Sequence, residues 1–303
     1  MISIGIDNGN YNTKSSEGTI FPSGYLVSSV PPIGADNCLF YDGKYYDIGA
    51  KRAAVQYDKT KDEQTFILTA AAIVRAAAAQ GKMEKQMHIS VALGVGLPLA
   101  SYSSMRDSFQ SYFLDRGPIV CAYQGHEIII TIDDCRAYPQ GWAAYLTKYN
   151  EFARYVDMTF VDIGGYTIDL FRTHNGRQVQ GSLMSIPTGT ITLIKSIQDE
   201  LMTLDIILAD NQISDILRGG SVVHMDAARV LDICQTCRAA YVRDLRNMLR
   251  ERGIDVRMPI ALIGGGADLL REGLEAEMYC VGWLDIFANA KGYKLWLDRD
   301  LKM

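Results

Sequence analysis

Apolar and polar positions along the chain switch between two periods, and the switches mark the elements. Ile2 to Ile6 is a β-rich run, followed by a polar turn from Asp7 to Thr13 and then Lys14. From Gly18 to about Asp58, short aromatic pieces are punctuated by Pro31-Pro32, Gly34, Asp42-Gly43 and Gly49, which predicts small strands and hairpins. Thr60-Lys61-Asp62-Glu63 has capping-box spacing, and the Ala-rich run after it predicts a helix ending before Gly81. His88 to Leu97 predicts a strand closed by Pro98, Ala100 to Leu114 a helix, and Glu127 to Ile132 a strand. Tyr138-Pro139-Gln140-Gly141 is expected to start a helix that runs to about Tyr149.

The second half repeats the plan. Thr159 to Asp162 predicts a strand, then a Gly-Gly turn, then a strand from Thr167 to Arg172. Ser185 to Gly189 reads as a loop with a helix from about Ile191, and helices dominate from Ile194 to Gly253. Pro259 to Ile263 is a β-rich run that stops at Gly264-Gly265-Gly266; Gly282 to Ala290 and Lys294 to Leu297 close the chain. Strands mixed with long helices give an α/β class.

One internal repeat changes this picture. GIDNGNYNTK at residues 5–14 aligns with FVDIGGYTID at residues 160–169, placing Asp7 on Asp162, Gly9 on Gly164 and Tyr11 on Tyr166. Each copy follows an apolar strand, so two similar domains are expected. The length agrees: 303 residues is more than one domain of the usual size, about 100–200 residues.

Composition narrows the class. With 48% apolar and 21% charged residues the chain has material for a packed core, and disorder is excluded. A net charge of −5 argues against general binding to nucleic acid or anionic membrane, since both reward a basic face. No basic stretch leading into an apolar run opens the chain, and Phe66 to Ala79 is broken by Arg75, so neither a signal segment nor a membrane span is expected. Six widely spread cysteines read as reduced thiols of a cytoplasmic protein.

The chemistry gathers at three turns. An apolar strand ending in D-x-G delivers a carboxylate to a fixed place, and the glycine allows a tight turn whose N–H groups can face a phosphate. Asp7 would hold Mg²⁺ through water, Lys14 would reach phosphate oxygens, and Gly9, Asn10, Asn12 and Thr13 would add turn and donor groups. Alone, this motif is equally a hairpin with a solvated lysine. The second copy brings Asp162 as a further carboxylate for metal and water, Gly164, Gly165 and Tyr166 as the turn, and the Thr167 hydroxyl; Asp169 is a candidate structural partner. Two such hairpins facing each other would clamp a triphosphate between domains. The third motif, Ala261-Leu262-Ile263-Gly264-Gly265-Gly266-Ala267, is a strand entering a helix through three glycines, a flat surface suited to a nucleoside or simply a tight turn. No Walker lysine loop is present, and no G-x-G-x-x-G follows the first strand.

In order, the strand with Asp7-Asn8-Gly9 and Lys14, Pro139-Gln140-Gly141, Asp162-Ile163-Gly164-Gly165-Tyr166-Thr167 and Gly264-Gly265-Gly266-Ala267 resembles the actin-like ATPase superfamily. Asp58-Lys59-Thr60, Val95-Gly96-Leu97-Pro98 and Phe287-Ala288-Asn289-Ala290-Lys291-Gly292-Tyr293 are similar to its ParM/StbA branch of plasmid-segregating bacterial actins. The resemblance implies two RNase-H-like domains with a nucleotide cleft between them. Domain I would be residues 1–155 plus 285–303 with a small insertion at about 18–60; domain II would be 156–284 with a helical part at about 198–255. It implies Mg²⁺-dependent hydrolysis of ATP, or of GTP, coupled to a head-to-tail filament, with DNA engaged through an adaptor. It gives Gln140 and Asp162 the task of placing the attacking water, with Asp7 beside them, and Gly264 to Gly266 the seat of the nucleoside. It also puts Gly189 at a connector where the domains rock; otherwise Gly189 is a helix-entry glycine.

Rival readings differ at particular residues. A small-molecule kinase would want a carboxylate base where Gln140 stands. An activating ATPase with a shared iron–sulfur cluster would need a fixed cysteine pattern, and a silent scaffold would not need Asp7, Lys14, Gln140 and Asp162 together. Cys234 and Cys237, three residues apart in an expected helix, read as packing groups, with a redox or metal role lacking partners. His88, His126, His174 and His224 show no ligand spacing.

Overall fold

The computed structural model describes residues 1–33, 38–54, 58–81 and 84–302. The turn expected at Gly34 and the terminal Met303 lie outside the described residues. The chain divides into two compact units, Met1–Thr147 with Phe287–Met303, and Lys148–Ile286.

In the first unit, β1 (Ile2–Asn8) is buried along its last five residues, as a strand covered on both faces must be. It turns back into β2 (Asn12–Ser15) and β3 (Ile20–Pro22) as antiparallel neighbours. On its other side it pairs in parallel with β7 (Gln86–Leu97), which pairs in parallel with β9 (His126–Pro139). The sheet continues through β8 (Ile119–Tyr123), β5 (Cys38–Tyr41), β6 (Lys44–Ile48) and β4 (Tyr25–Ser28). The crossover between β1 and β7 contains α1 (Gln64–Ala79), apolar nearly all round and packed into the same core as Ile4 and Ile6. α2 (Tyr102–Leu114) returns the chain towards β8 and β9. α9 (Ala288–Asp300) lies directly on β1: a Cβ on Gly5 would sit 2.0 Å from the Ala290 carbonyl oxygen. Tyr293 of α9 covers Gly94 and Gly96 of β7 in the same way. The Phe287–Tyr293 motif is thus a close-packing motif.

The second unit has the same core. β10 (Asp157–Ile163) is antiparallel to β11 (Ile168–His174) and parallel to β14 (Ile260–Ile263), which is parallel to β15 (Cys280–Leu284). β12 (Arg177–Gln178) and β13 (Met184–Ile186) both pair with β11. The orders β3-β2-β1-β7-β9 and β12-β11-β10-β14-β15 therefore correspond strand for strand. The helical part consists of α5 (Thr190–Met202), α6 (Asp210–Leu217) and α7 (Ala227–Glu251), and α8 (Gly265–Glu277) joins β14 to β15.

Several expectations change. The capping box does not form: Glu63 is the first cap of α1 without a side-chain bond, while Asp58 accepts from the Thr60 N–H and hydroxyl at 3.1 and 2.7 Å. An Asx turn thus takes Thr60 out of the helix. Tyr138-Pro139 does not begin a helix. β9 runs through Pro139 because it pairs with β7 out to Leu97, and the helix α3 (Trp142–Thr147) starts after a turn at Gln140-Gly141. β8 was not foreseen; it closes a hairpin with β9 over Gln124 and Gly125, both with positive φ, the geometry that matches strand twist. The loop expected from Ser185 begins inside β13. α4 (Tyr149–Phe152) belongs to the second unit, where the Phe152 ring covers Gly282 and lies 5.5 Å from Phe160.

Candidate functional site

In the first unit, the β1–β2 register places Asp7 opposite Lys14 and Asn8 opposite Thr13. Alternation then separates β2 into two faces: Thr13 and Ser15 are buried, whereas Asn12 and Lys14 are partly exposed. The Lys14 ammonium donates to the Asp7 carboxylate at 3.1 Å, their side chains 16% and 5% exposed. The Gln140 amide donates to the other Asp7 oxygen at 3.4 Å, so a residue 133 positions away reaches the same carboxylate. Its turn is held firmly: the Gln140 N–H donates to the Leu97 carbonyl at 2.9 Å, and the Gly141 N–H to the Asn289 side-chain oxygen at 2.8 Å. The structure brings together Asp7, Lys14 and Gln140 around the Gly9–Asn12 turn. Thr13 stands apart from them. Its hydroxyl is fully buried against Ser23 at 2.9 Å, and Ser23 donates to the Gly9 carbonyl at 2.5 Å, so Thr13 supports the turn from behind.

In the second unit, Asp162 lies opposite Asp169 in the β10–β11 register, the same relation as Asp7 and Lys14. The Thr167 hydroxyl donates to Asp169 at 2.8 Å, which gives Asp169 the hydrogen-bonding role foreseen for it. The Gly164 N–H closes the turn on the Thr167 carbonyl at 2.9 Å. The Gly164 and Gly165 carbonyls accept from the Thr190 and Ile191 N–H groups at 3.1 and 2.9 Å, and so serve the open N-terminus of α5. Oxygens that would repel an anion are thereby engaged by the helix. Gly189 is not at a connector: it lies within the second unit, and a Cβ there would be 2.4 Å from the Gly165 carbonyl. It is a helix-entry glycine that lets the turn rest on α5.

The three glycines after β14 have three different tasks. Gly264, at φ +91° and ψ 171°, has a backbone reserved for glycine, and its Cβ position is 2.6 Å from an Asp162 carboxylate oxygen. Gly266 is buried, its Cβ position 2.6 Å from the Ile163 carbonyl oxygen. Only Gly265 is partly exposed, with Ile286 at 3.3 Å. Gly264 and Gly266 therefore pack α8 against β10 and its Asp162, leaving Gly265 as the face open to a ligand.

The comparisons with known proteins concern the fold. The family model described as actin like proteins N terminal domain matches residues 5–142. Ta0583, an archaeal actin homolog, superposes with a TM-score of 0.73 at 20% identity over 99% of this chain and 100% of that one. The chain has an actin-like fold. Bacillus thuringiensis ParM, solved with ATP, gives a TM-score of 0.70 at 15% identity, covering 99% of each chain. A ParM from Clostridium botulinum, solved as a 15-stranded filament, gives 0.71 at 17% identity over 98% of this chain and 99% of that one. No curated protein matches this chain in sequence.

Two residues beside these turns escaped the sequence reading. Asn289 holds the Gln140 turn from α9, and Lys59 lies buried beside β1, its ammonium donating to the Asn8 carbonyl at 2.5 Å. Burial pushes Lys59 below the ordinary lysine range; the Asp7 charge opposes that shift and Lys14 adds to it. Both residues sit inside the motifs that carried the ParM resemblance, which was the available signal. Among the described residues no cluster of three metal-ligating side chains occurs, and no helix is long and apolar enough to cross a membrane. Cys234 and Cys237 lie on α7, and burial holds the Cys234 thiol up at about 11, the state of an inert packing thiol. Each histidine has a local partner: Thr131 for His88, the Glu84 carbonyl for His126, Asp157 for His174 and the Asp226 N–H for His224.

Proposed function

We propose that this chain is an ATP-hydrolysing, filament-forming actin-like protein that segregates a plasmid or another DNA element. The observation that carries the reading is the Asp7 carboxylate held between Lys14 and the Gln140 amide, on a hairpin whose register recurs at Asp162. Each hairpin takes phosphate oxygens: Lys14 and the first turn in one unit, Gly164 to Thr167 in the other. Gln140 orients the attacking water, an amide being able to place water without accepting its proton outright. Gly265 supports the nucleoside side.

Mg²⁺ fits the donor set, because it keeps most of its waters and needs only one or two carboxylates besides phosphate. Asp7, and Asp162 with Asp169 opposite it, are the carboxylates that would hold it. When bound, the ion would neutralise charge on the phosphates. Relatives solved with ADP and ATP support a nucleotide, with ATP the first choice over GTP, and a filament-forming ParM supports self-association. The contacts of such a filament are head-to-tail and do not close. DNA is reached through an adaptor, in keeping with a net charge of −5, and the setting is the cytoplasm.

The test is right-angle light scattering on purified protein with Mg²⁺ and ATP, phosphate release being followed in the same cuvette. Scattering that rises and then decays as ATP is consumed is expected. Phosphate release without scattering refutes the filament and favours a kinase or a monomeric activating ATPase of the same fold.

A further inference from the structure

One buried charge has no task in the function proposed above. Lys59 is 7% exposed, and among the described residues no carboxylate lies within 4.0 Å of its ammonium. Among the described residues its one hydrogen bond goes to the carbonyl of Asn8, the last residue of β1. The charged groups it senses are Asp7 and Lys14, and Asp7 is already paired with Lys14 at 3.1 Å. Lys59 and the partly exposed Lys14 thus both act on Asp7 at the end of β1. A buried ion without a full counter-charge is costly, and a fold keeps one where an anion arrives to answer it.

The bond to Asn8 also has a direction. An ammonium on a carbonyl polarises the whole peptide, and this peptide carries the Gly9 N–H, the first amide of the turn. The side chain is fixed on both sides: Asp58 anchors Thr60, and the Asn8 side chain bonds Thr69 of α1 at 3.1 Å.

We infer that Lys59 is a positioning residue that makes the β1–β2 turn selective for polyphosphate, supplying the surplus positive charge that a di- or triphosphate answers and strengthening the turn amide it meets. The inference rests on the reading of this hairpin as a nucleotide half-site. It assigns Lys59 no contact with the nucleoside, so the residue discriminates by phosphate charge alone.

The test is calorimetric titration of the full chain with ADP, with a non-hydrolysable ATP analogue and with adenosine, in Mg²⁺. Lys59→Gln keeps a donor for the Asn8 carbonyl and removes the charge. It should weaken ADP by about tenfold and the ATP analogue by more, with adenosine within about twofold of the unsubstituted chain. Lys59→Arg should recover part of the loss. Equal losses for ADP and adenosine mean a structural role and overturn the inference, as does unchanged ADP affinity. Failure of the unsubstituted chain to bind ADP overturns the nucleotide reading itself, which separates the two. Should Lys59→Gln not fold, the ε-methylene NMR signal of Lys59 in the unsubstituted chain decides. It is expected to shift with ADP and not with adenosine, and equal behaviour with both overturns the inference.

Discussion

Three adjacent glycines make the sharpest test of how the second half-site is built, because identical substitutions should have unequal effects. Gly264→Ala places a Cβ 2.6 Å from an Asp162 carboxylate oxygen and 3.0 Å from the Ile163 carbonyl, on a backbone at φ +91°. The backbone alone costs about 1–3 kcal/mol for a non-glycine residue, and relief of the contacts adds about 1 kcal/mol more. Gly266→Ala keeps a helical backbone and gains up to about 1 kcal/mol of helix propensity. Against that gain, its Cβ meets Ile163 Cγ2 at 2.5 Å, the Ile163 carbonyl at 2.6 Å and Thr190 Cγ2 at 2.7 Å. Overpacking of this kind costs about 1–3 kcal/mol, so a net loss of about 1–2 kcal/mol is expected. Gly265→Ala meets only Ile286 Cγ2, at 3.3 Å, and should stay within about 0.5 kcal/mol. Hydrogen exchange at Ile260–Ile263 reports on the second unit alone, and about 1.4 kcal/mol is a tenfold loss of protection there. The expected order of damage is Gly264, then Gly266, then Gly265. Phosphate release should fail most in Gly264→Ala, whose Cβ displaces Asp162. An unchanged Gly264→Ala beside a damaged Gly265→Ala would refute the packing argument.

Gln140→Ala should slow phosphate release by about 10–100-fold while leaving ADP affinity within about twofold, since the amide places water and not phosphate; a matching loss of affinity would count against that role. Asn289→Ala removes the acceptor for the Gly141 N–H and should cost about 1–2 kcal/mol. It should also slow hydrolysis, yet add little to Gln140→Ala in the double variant, because both act through one turn. Asp169→Lys copies the Asp7–Lys14 pair into the second unit. It should fold, losing only about 1 kcal/mol with the Thr167 bond, but abolish hydrolysis; retained turnover would show that Asp169 is structural only. Burial raises the Cys234 thiol from 9.0 to about 11 and Cys121 from 9.0 to about 12. The unfolded chain gives up these protons first, so the contribution is full below pH 9 and is lost as pH climbs through 11 to 12. Urea midpoints should fall over that window, and Cys234→Ala should flatten part of the fall; a level midpoint to pH 12 would contradict it.

What the sequence revealed and what it hid divide along a physical line. The repeat at Asp7 and Asp162 was legible because strand, carboxylate and glycine are adjacent in the chain, and the structure confirms it in register. The long helix α1 was legible because it is apolar almost all round. The start of α3 was misplaced because the strand β9 continues past Tyr138 through pairing with β7, a partner some forty positions away. Thr13 was read as a donor because the alternation of a four-residue strand is too short to show which face is buried. Gly264, Gly265 and Gly266 look alike in sequence, and only Asp162, Ile163 and Thr190 nearby tell them apart. Lys59 and Asn289 depend on contacts 51 and 148 positions away, which no local pattern contains.

The duplicated hairpin shows how one architecture carries two charge patterns. Backbone register alone sets Asp7 opposite Lys14 and Asp162 opposite Asp169, so the fold fixes where the side chains lie without fixing their charge. The cross-strand position is partly exposed in both copies, at Lys14 and Asp169, and tolerates either sign at little cost to folding. In the function proposed above, a lysine there, with Lys59 bonded to the Asn8 carbonyl, makes the first hairpin a place for anions. In that same proposed function, an aspartate there makes the second a place for a cation. The repeat therefore keeps the turn, the strand and the first carboxylate, and puts the difference in charge between the two hairpins into the residue seven positions on.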